Sequence, residues 1–130
     1  MRILLDTHAW LWLQASPERL SEKSLELVGD PENEIYLSAA SSWEIAIKYA
    51  LGKLPLPEPP GEYVPSRISA SGTTSLPVEH RHALHLARLP RHHRDPFDRL
   101  LIAQAHLEGL VVLTADPAFS PYGVQTIPAT

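Results

Sequence analysis

Four acidic residues of this chain stand where strands and helices would bring them to one rim. Asp6 directly follows the apolar run Ile3-Leu4-Leu5, and Asp116 comes three positions after Leu113, which ends the run Leu110-Val111-Val112-Leu113. Runs of this form are strands buried on both faces, and open parallel sheets bind ligands beyond the carboxyl ends of their strands. Glu44 lies one helical turn into the segment after a further strand candidate, Ile35-Tyr36-Leu37, beside Trp43, Ala46 and Ile47. Asp98 continues a helical face whose other members are Leu101, Ile102 and Ala105. Each acid also has an ordinary reading. Asp6 reads as a helix N-cap, Glu44 as the i,i+4 partner of Lys48, Asp98 as a first-turn carboxylate at a helix N-terminus, and Asp116 as the start of an Asp-Pro turn.

Taken together, the four describe a carboxylate cluster. Two carboxylates about 4 Å apart repel by roughly 4 kcal/mol at an effective dielectric near 20, so several stay ionised only beside a cation. The chain has no cysteine, and an oxygen donor set favours Mg²⁺ or Mn²⁺ over zinc. A site of that kind holds phosphate oxygens, lowers the pKa of a bound water and stabilises charge on phosphorus. The reaction it suits is phosphodiester hydrolysis.

The elements that must position these acids alternate along the chain. After the first strand, residues 7 to 14 and then Leu20 to Val28 read as two short helices, with Ser16-Pro17 between them and Gly29-Asp30-Pro31 as the stop. Ser38 to Leu51 carries Trp43, Ala46, Ile47, Ala50 and Leu51 at helical spacing, with Gly52 as its cap. Pro55, Pro57, Pro59 and Pro60 mark a loop. Residues 61 to 71 form a helix candidate, Thr73 to Leu76 a weak strand, and Val78 to Leu89 a helix ended by Pro90. Asp95-Pro96 reads as an N-cap followed by proline at the first helical position, opening a helix to about His106 or Leu107 with Gly109 as its stop. Val124 to Ile127 is the last strand. Nearly all-apolar strands alternating with helices predict an α/β fold, a three-layer α/β/α sandwich around a mostly parallel sheet.

At 130 residues the chain fits one domain, 1 to 130. Its 15 acidic against 11 basic side chains exclude a protein that coats nucleic acid by bulk positive charge. Residues 80 to 99 depart from that balance, with five bases, two acids and five of the seven histidines. Neither a secretory signal nor an apolar run of membrane-spanning length is visible, so the expectation is a soluble cytoplasmic protein.

Four segments in order carry a family resemblance: Leu4-Leu5-Asp6-Thr7-His8; Leu37-Ser38-Ala39-Ala40-Ser41-Ser42-Trp43-Glu44-Ile45-Ala46-Ile47-Lys48; His93-Arg94-Asp95-Pro96-Phe97-Asp98-Arg99-Leu100-Leu101-Ile102-Ala103-Gln104-Ala105; and Leu113-Thr114-Ala115-Asp116. The chain resembles the PIN-domain nucleases, and within them the VapC-like toxins of toxin-antitoxin pairs. The resemblance implies a Mg²⁺- or Mn²⁺-dependent endoribonuclease with Asp6, Glu44, Asp98 and Asp116 as catalytic and metal-binding acids. Thr7 and Thr114 match hydroxyl positions flanking the site, with Thr114 holding a carboxylate or a metal-bound water. Asp95 is an acid of the same motif, read as a cap rather than a ligand. The implied partners are an RNA substrate, a cognate antitoxin whose tail covers the acidic groove, and a second copy in a homodimer. A silent RNA-binding or repressor module of the same fold, and a phosphatase with Asp6 as covalent nucleophile, are the competing readings.

The basic segment suits a strip that steers an RNA backbone toward an anionic site, with Arg91, Arg94 and Arg99 as the contacts; its ordinary reading is a solvated loop. His82 and His85, at i,i+3, read as surface residues, and His8 as a packing or substrate contact. Trp10, Trp12 and Trp43 read as core or interface residues that stack on bases if exposed.

Overall fold

In the computed structural model, which describes residues 1 to 130, the chain begins with β1 (Arg2–Leu5), α1 (Thr7–Ala15) and, after a 3-10 turn at Pro17–Arg19, α2 (Glu22–Gly29). β2 (Glu34–Ser38) leads into α3 (Ala39–Ala50) and α4 (Pro60–Ser71). β3 (Thr74–Leu76), α5 (His80–His85) and a 3-10 turn at Leu86–Arg88 follow, then α6 (Pro96–Glu108), β4 (Val111–Thr114), a 3-10 stretch at Pro117–Tyr122 and β5 (Thr126–Pro128).

The five strands form one sheet in the order β3-β2-β1-β4-β5, and every neighbouring pair is parallel. Because side chains alternate across a strand, the apolar runs feed two cores. Leu4 and Val112 pack with Leu101, Ile102 and Phe119 on one face. Ile3, Leu5 and Leu113 pack with Trp10, Ile45, Tyr63 and Val64 on the other. This is the three-layer α/β/α sandwich expected from the strand composition.

The chain runs outward from β1 to β2 and β3, then returns to place β4 on the opposite side of β1. Strand order reverses there, and the crevice at such a point is where parallel sheets take ligands. The ladder continues one residue beyond β1, since the Asp6 N–H donates to the Leu113 carbonyl at 3.1 Å. Asp6 is therefore fixed at the rim by its own backbone.

Two helices present different faces from those their apolar spacing implies. On α3 the buried side is Ala40, Ser41, Glu44 and Ile45, while Trp43 (55% exposed), Ile47 and Leu51 face outward. The segment from Val78 to Leu89 is shorter in its helix than its pattern suggests, with α5 confined to His80–His85 and a 3-10 turn beyond. There Leu84 lies on the surface and His82 is fully buried. The surface reading of His82 is thus corrected. Its Nδ1 accepts the Glu79 backbone N–H at 2.9 Å and its Nε2 lies 2.9 Å from Glu108, so burial is offset by two hydrogen bonds.

Candidate metal and nuclease site

Asp6 performs its ordinary role and a second one. As N-cap of α1 its Oδ1 accepts from the Ala9 N–H at 2.8 Å, while Oδ2 accepts from the Thr114 hydroxyl. It is 6% exposed. Burial pushes its carboxyl above the usual range, against the hydrogen bonds from Thr114 and Ala9. Asp116 adds like charge to it.

Glu44 enters from the inward face of α3 and is 2% exposed. Thr7, the residue after Asp6, donates its hydroxyl to Glu44 Oε1 at 2.7 Å, with Ser41 Oγ 2.9 Å from the same hydroxyl. Lys48 pairs with Oε2. The i,i+4 ion pair therefore exists, and it lies inside the cluster rather than on a solvated face. Burial opposes the Lys48 charge, but the Glu44 hydrogen bond together with the fields of Glu44, Asp95 and Asp98 holds its pKa above the usual value.

Asp98 sits in the first turn of α6, which Asp95 caps by accepting the N–H groups of Phe97 (2.9 Å) and Asp98 (3.2 Å). Asp95 thus fills the capping role assigned to it. Asp98 Oδ2 lies 2.8 Å from His93 Nε2. Burial raises its carboxyl to about 6, with Asp95 and Glu44 adding to the rise and His93 opposing it.

Asp116 is exposed, and its Oδ1 caps the following 3-10 stretch through the Ala118 N–H at 2.9 Å. Its own N–H donates to Thr114 Oγ1 at 3.0 Å. One threonine hydroxyl thereby joins the ends of β1 and β4. Ligand atoms of His93, Asp98 and Asp116 all lie within 4.8 Å of one another.

His93 is the member of this group that sequence reasoning placed elsewhere, among the bases of the basic segment. Its signal was weak: a histidine five residues ahead of Asp98, just before the Asp95-Pro96 cap. The carboxylate oxygens, one imidazole and a carboxyl raised by burial and by neighbouring acids make a donor set that fits a hard divalent cation. A second group, Glu79, His82 and Glu108, also has ligand atoms within 4.8 Å of one another. It fits a cation poorly, because His82 Nδ1 already accepts a backbone N–H and its one proton on Nε2 faces Glu108.

The remaining candidates are distributed around the rim. Arg91, His93, Arg94 and Arg99 line a pocket of about 380 Å³. Arg99 also supports the fold, since it donates to the carbonyls of Leu86 (3.2 Å) and Leu89 (3.3 Å). His8 is exposed and tilts against Trp12, its ring centroid 6.3 Å away. Trp10 is in the core. Trp43 meets Phe97 edge-on at 4.9 Å while keeping most of its surface in solvent.

Comparison with known proteins bears on the family and the fold. Residues 3 to 124 match the model of the PIN domain family. A 59-residue stretch is 58% identical to ribonuclease VapC16 of Mycobacterium tuberculosis (strain ATCC 25618 / H37Rv), taking in 45% of this chain and 42% of that protein. The fold is similar to the crystal structure of VapBC2 from Rickettsia felis bound to a DNA fragment from their promoter, with a TM-score of 0.74, 16% identity and full coverage of both chains. It is also similar to VapBC-1 from nontypeable Haemophilus influenzae, with a TM-score of 0.66, 16% identity and 98% of each chain covered. At these identities the two structures speak to the fold alone.

Proposed function

The chain belongs to the PIN-domain family, and from that premise we propose that it is a metal-dependent endoribonuclease, the toxin of a toxin-antitoxin pair. The observation that carries the reading is the convergence of His93, Asp98 and Asp116 on the rim where Thr114 ties Asp6 to the end of β4. Similarity to a ribonuclease over 59 residues supports the substrate class. Structural likeness to the VapBC pairs is consistent with a protein antitoxin as partner. A homodimer and a cytoplasmic location belong to the same reading; no helix is long and apolar enough to cross a membrane. Residues 1 to 130 act as one nuclease domain in this proposal.

Asp6, Glu44, Asp98 and Asp116 would hold the ion, Mg²⁺ or Mn²⁺. Bound there, it supplies charge for the phosphate oxygens and a water of lowered pKa. The chain's own residues prepare that site. Thr114 and the Ala9 N–H hold both oxygens of Asp6, Thr7 holds Glu44, and His93 holds Asp98. These three carboxylates are thereby fixed before an ion or substrate arrives, which lowers the reorganisation required in the reaction. The unpaired bases Arg91 and Arg94 would draw an RNA backbone toward the acids, with Arg99 fixed behind them.

A phosphatase with Asp6 as covalent nucleophile fits less well. Both Asp6 oxygens accept hydrogen bonds and the side chain is almost inaccessible. The decisive experiment is cleavage of total RNA by the purified chain with Mg²⁺ or Mn²⁺, compared with EDTA and with Asp6→Asn and Asp98→Asn. Cleavage that needs the ion and disappears in both variants is expected. Undiminished cleavage in folded variants sinks the site, and RNA binding without cleavage selects the silent module.

A further inference from the structure

The pocket formed by Arg91, His93, Arg94 and Arg99 has no apolar residue in its lining, and the groups it presents are guanidinium and imidazole, which suit an anion. Its three arginines lack anionic partners. Arg91 and Arg94 are exposed and take part in no ion pair of the chain. Arg99 is anchored at the back by two backbone carbonyls, yet its Nε is buried with no partner. Three guanidinium groups around one hollow repel one another unless an anion sits among them, and a planar fork of N–H donors suits phosphate oxygens. The pocket also shares a wall with the acidic site, because His93 lines it while its Nε2 lies 2.8 Å from Asp98 Oδ2.

We propose that this pocket seats a single backbone phosphate of the RNA, one that neighbours the phosphate being cut. The proposal rests on the ribonuclease reading for its ligand's source, and on the pocket's own charges for the ligand's chemistry. A strand that presents one phosphate to the acids passes His93 and lays the next among the arginines. Because its donors are charged groups that match phosphate oxygens, the seat takes backbone and fixes the register of the strand. An acidic peptide of a protein partner is the competing occupant. RNA is the favoured occupant because it would use both neighbouring sites, with one phosphate at a divalent ion held by the acids and the next among the arginines.

Two measurements test this. In the first, inorganic phosphate is titrated into the wild-type chain in EDTA while arginine side-chain Nε–H signals are followed by NMR. The Arg99 signal is expected to move in a saturable way, and to stay still in Arg91→Ala/Arg94→Ala. No movement in wild type overturns the seat whether or not the protein cuts RNA. In the second, a labelled single-stranded RNA is bound across a salt series. The double variant is expected to bind several-fold more weakly, with the log-log salt slope shallower by about 0.7 for each charge lost. An unchanged slope, or loss of binding to a protein partner with RNA binding intact, removes RNA as the occupant. Failure of the wild type to cleave RNA with any divalent ion defeats the ribonuclease reading instead, and the phosphate titration still decides the pocket.

Discussion

The Thr114 hydroxyl at the end of β4 donates to Asp6 Oδ2 at the end of the adjacent strand β1, and accepts the Asp116 N–H in turn. Two candidate ligands from opposite halves of the chain are thereby held by one side chain. Thr114→Val keeps the volume and removes the hydroxyl, leaving a buried acceptor and a backbone donor short of a partner. We expect a loss of about 1 to 3 kcal/mol in urea denaturation, together with weaker Mn²⁺ binding by calorimetry. Unchanged Mn²⁺ affinity with lowered stability would confine Thr114 to a structural role.

Asp98 titrates at about 6 in the folded chain against an ordinary 3.8. Between those values the native state holds a proton that the unfolded chain has released, so stability falls as pH rises from about 4 to about 6 and is then level. The whole effect is about 3 kcal/mol at most. Asp98→Asn keeps an acceptor for His93 and removes the charge. In EDTA it should be more stable than wild type at pH 8 and equal to it near pH 4, by denaturation at each pH. Saturating Mg²⁺ should close the gap by stabilising the wild type alone. A gap that does not change with pH would contradict the assigned carboxyl.

Lys48 is the cation the chain itself supplies to the acids, paired to Glu44 and within the fields of Asp95 and Asp98. Because it competes with an added ion for Glu44, Lys48→Met should raise Mn²⁺ affinity several-fold. In EDTA the same change should cost about 1 to 3 kcal/mol, since it leaves the buried Glu44 carboxylate without its cation. Reduced Mn²⁺ affinity would show instead that the ammonium helps to assemble the site.

What the sequence revealed follows the range of the interactions. Asp95 capping α6, Asp6 capping α1 and Gly109 ending α6 at a φ of 66° are local events, written within a few residues. The three central strands are legible because each carries an apolar run, Ile3-Leu4-Leu5, Ile35-Tyr36-Leu37 or Val111-Val112-Leu113. The facing of α3 was not, because an apolar stripe is normally the buried one. Here Glu44 and Ser41 turn inward to meet Thr7, and Thr7 lies 37 positions from Glu44. His82 escaped for the same reason, its partner Glu108 being 26 residues on. Even the overall charge was misleading in this way. Setting the four candidate ligands aside from 15 acids leaves 11, equal to the number of bases.

His82, on α5, supplies a contrast to the acidic site through its contact with Glu108 at the far end of α6. Asp98 opens α6 and Glu108 closes it, about 15 Å apart at the helical rise. The His82 hydrogen bond is the main influence holding the Glu108 carboxyl below its usual range, with Arg81 adding to it. Glu108 therefore contributes stability above the ordinary carboxylate pKa, and that contribution is lost as pH falls through its lowered value. His82→Ala removes buried volume and strands the Glu79 N–H. We expect a loss of about 3 kcal/mol, against about 1 kcal/mol for Glu108→Gln, which keeps the packing. In both variants Mn²⁺ stoichiometry and RNA cleavage per folded molecule should match wild type below the melting temperature. If His82→Ala instead abolishes a divalent ion bound by the wild type, the group is a second metal centre and its reading as a clamp between α5 and α6 fails.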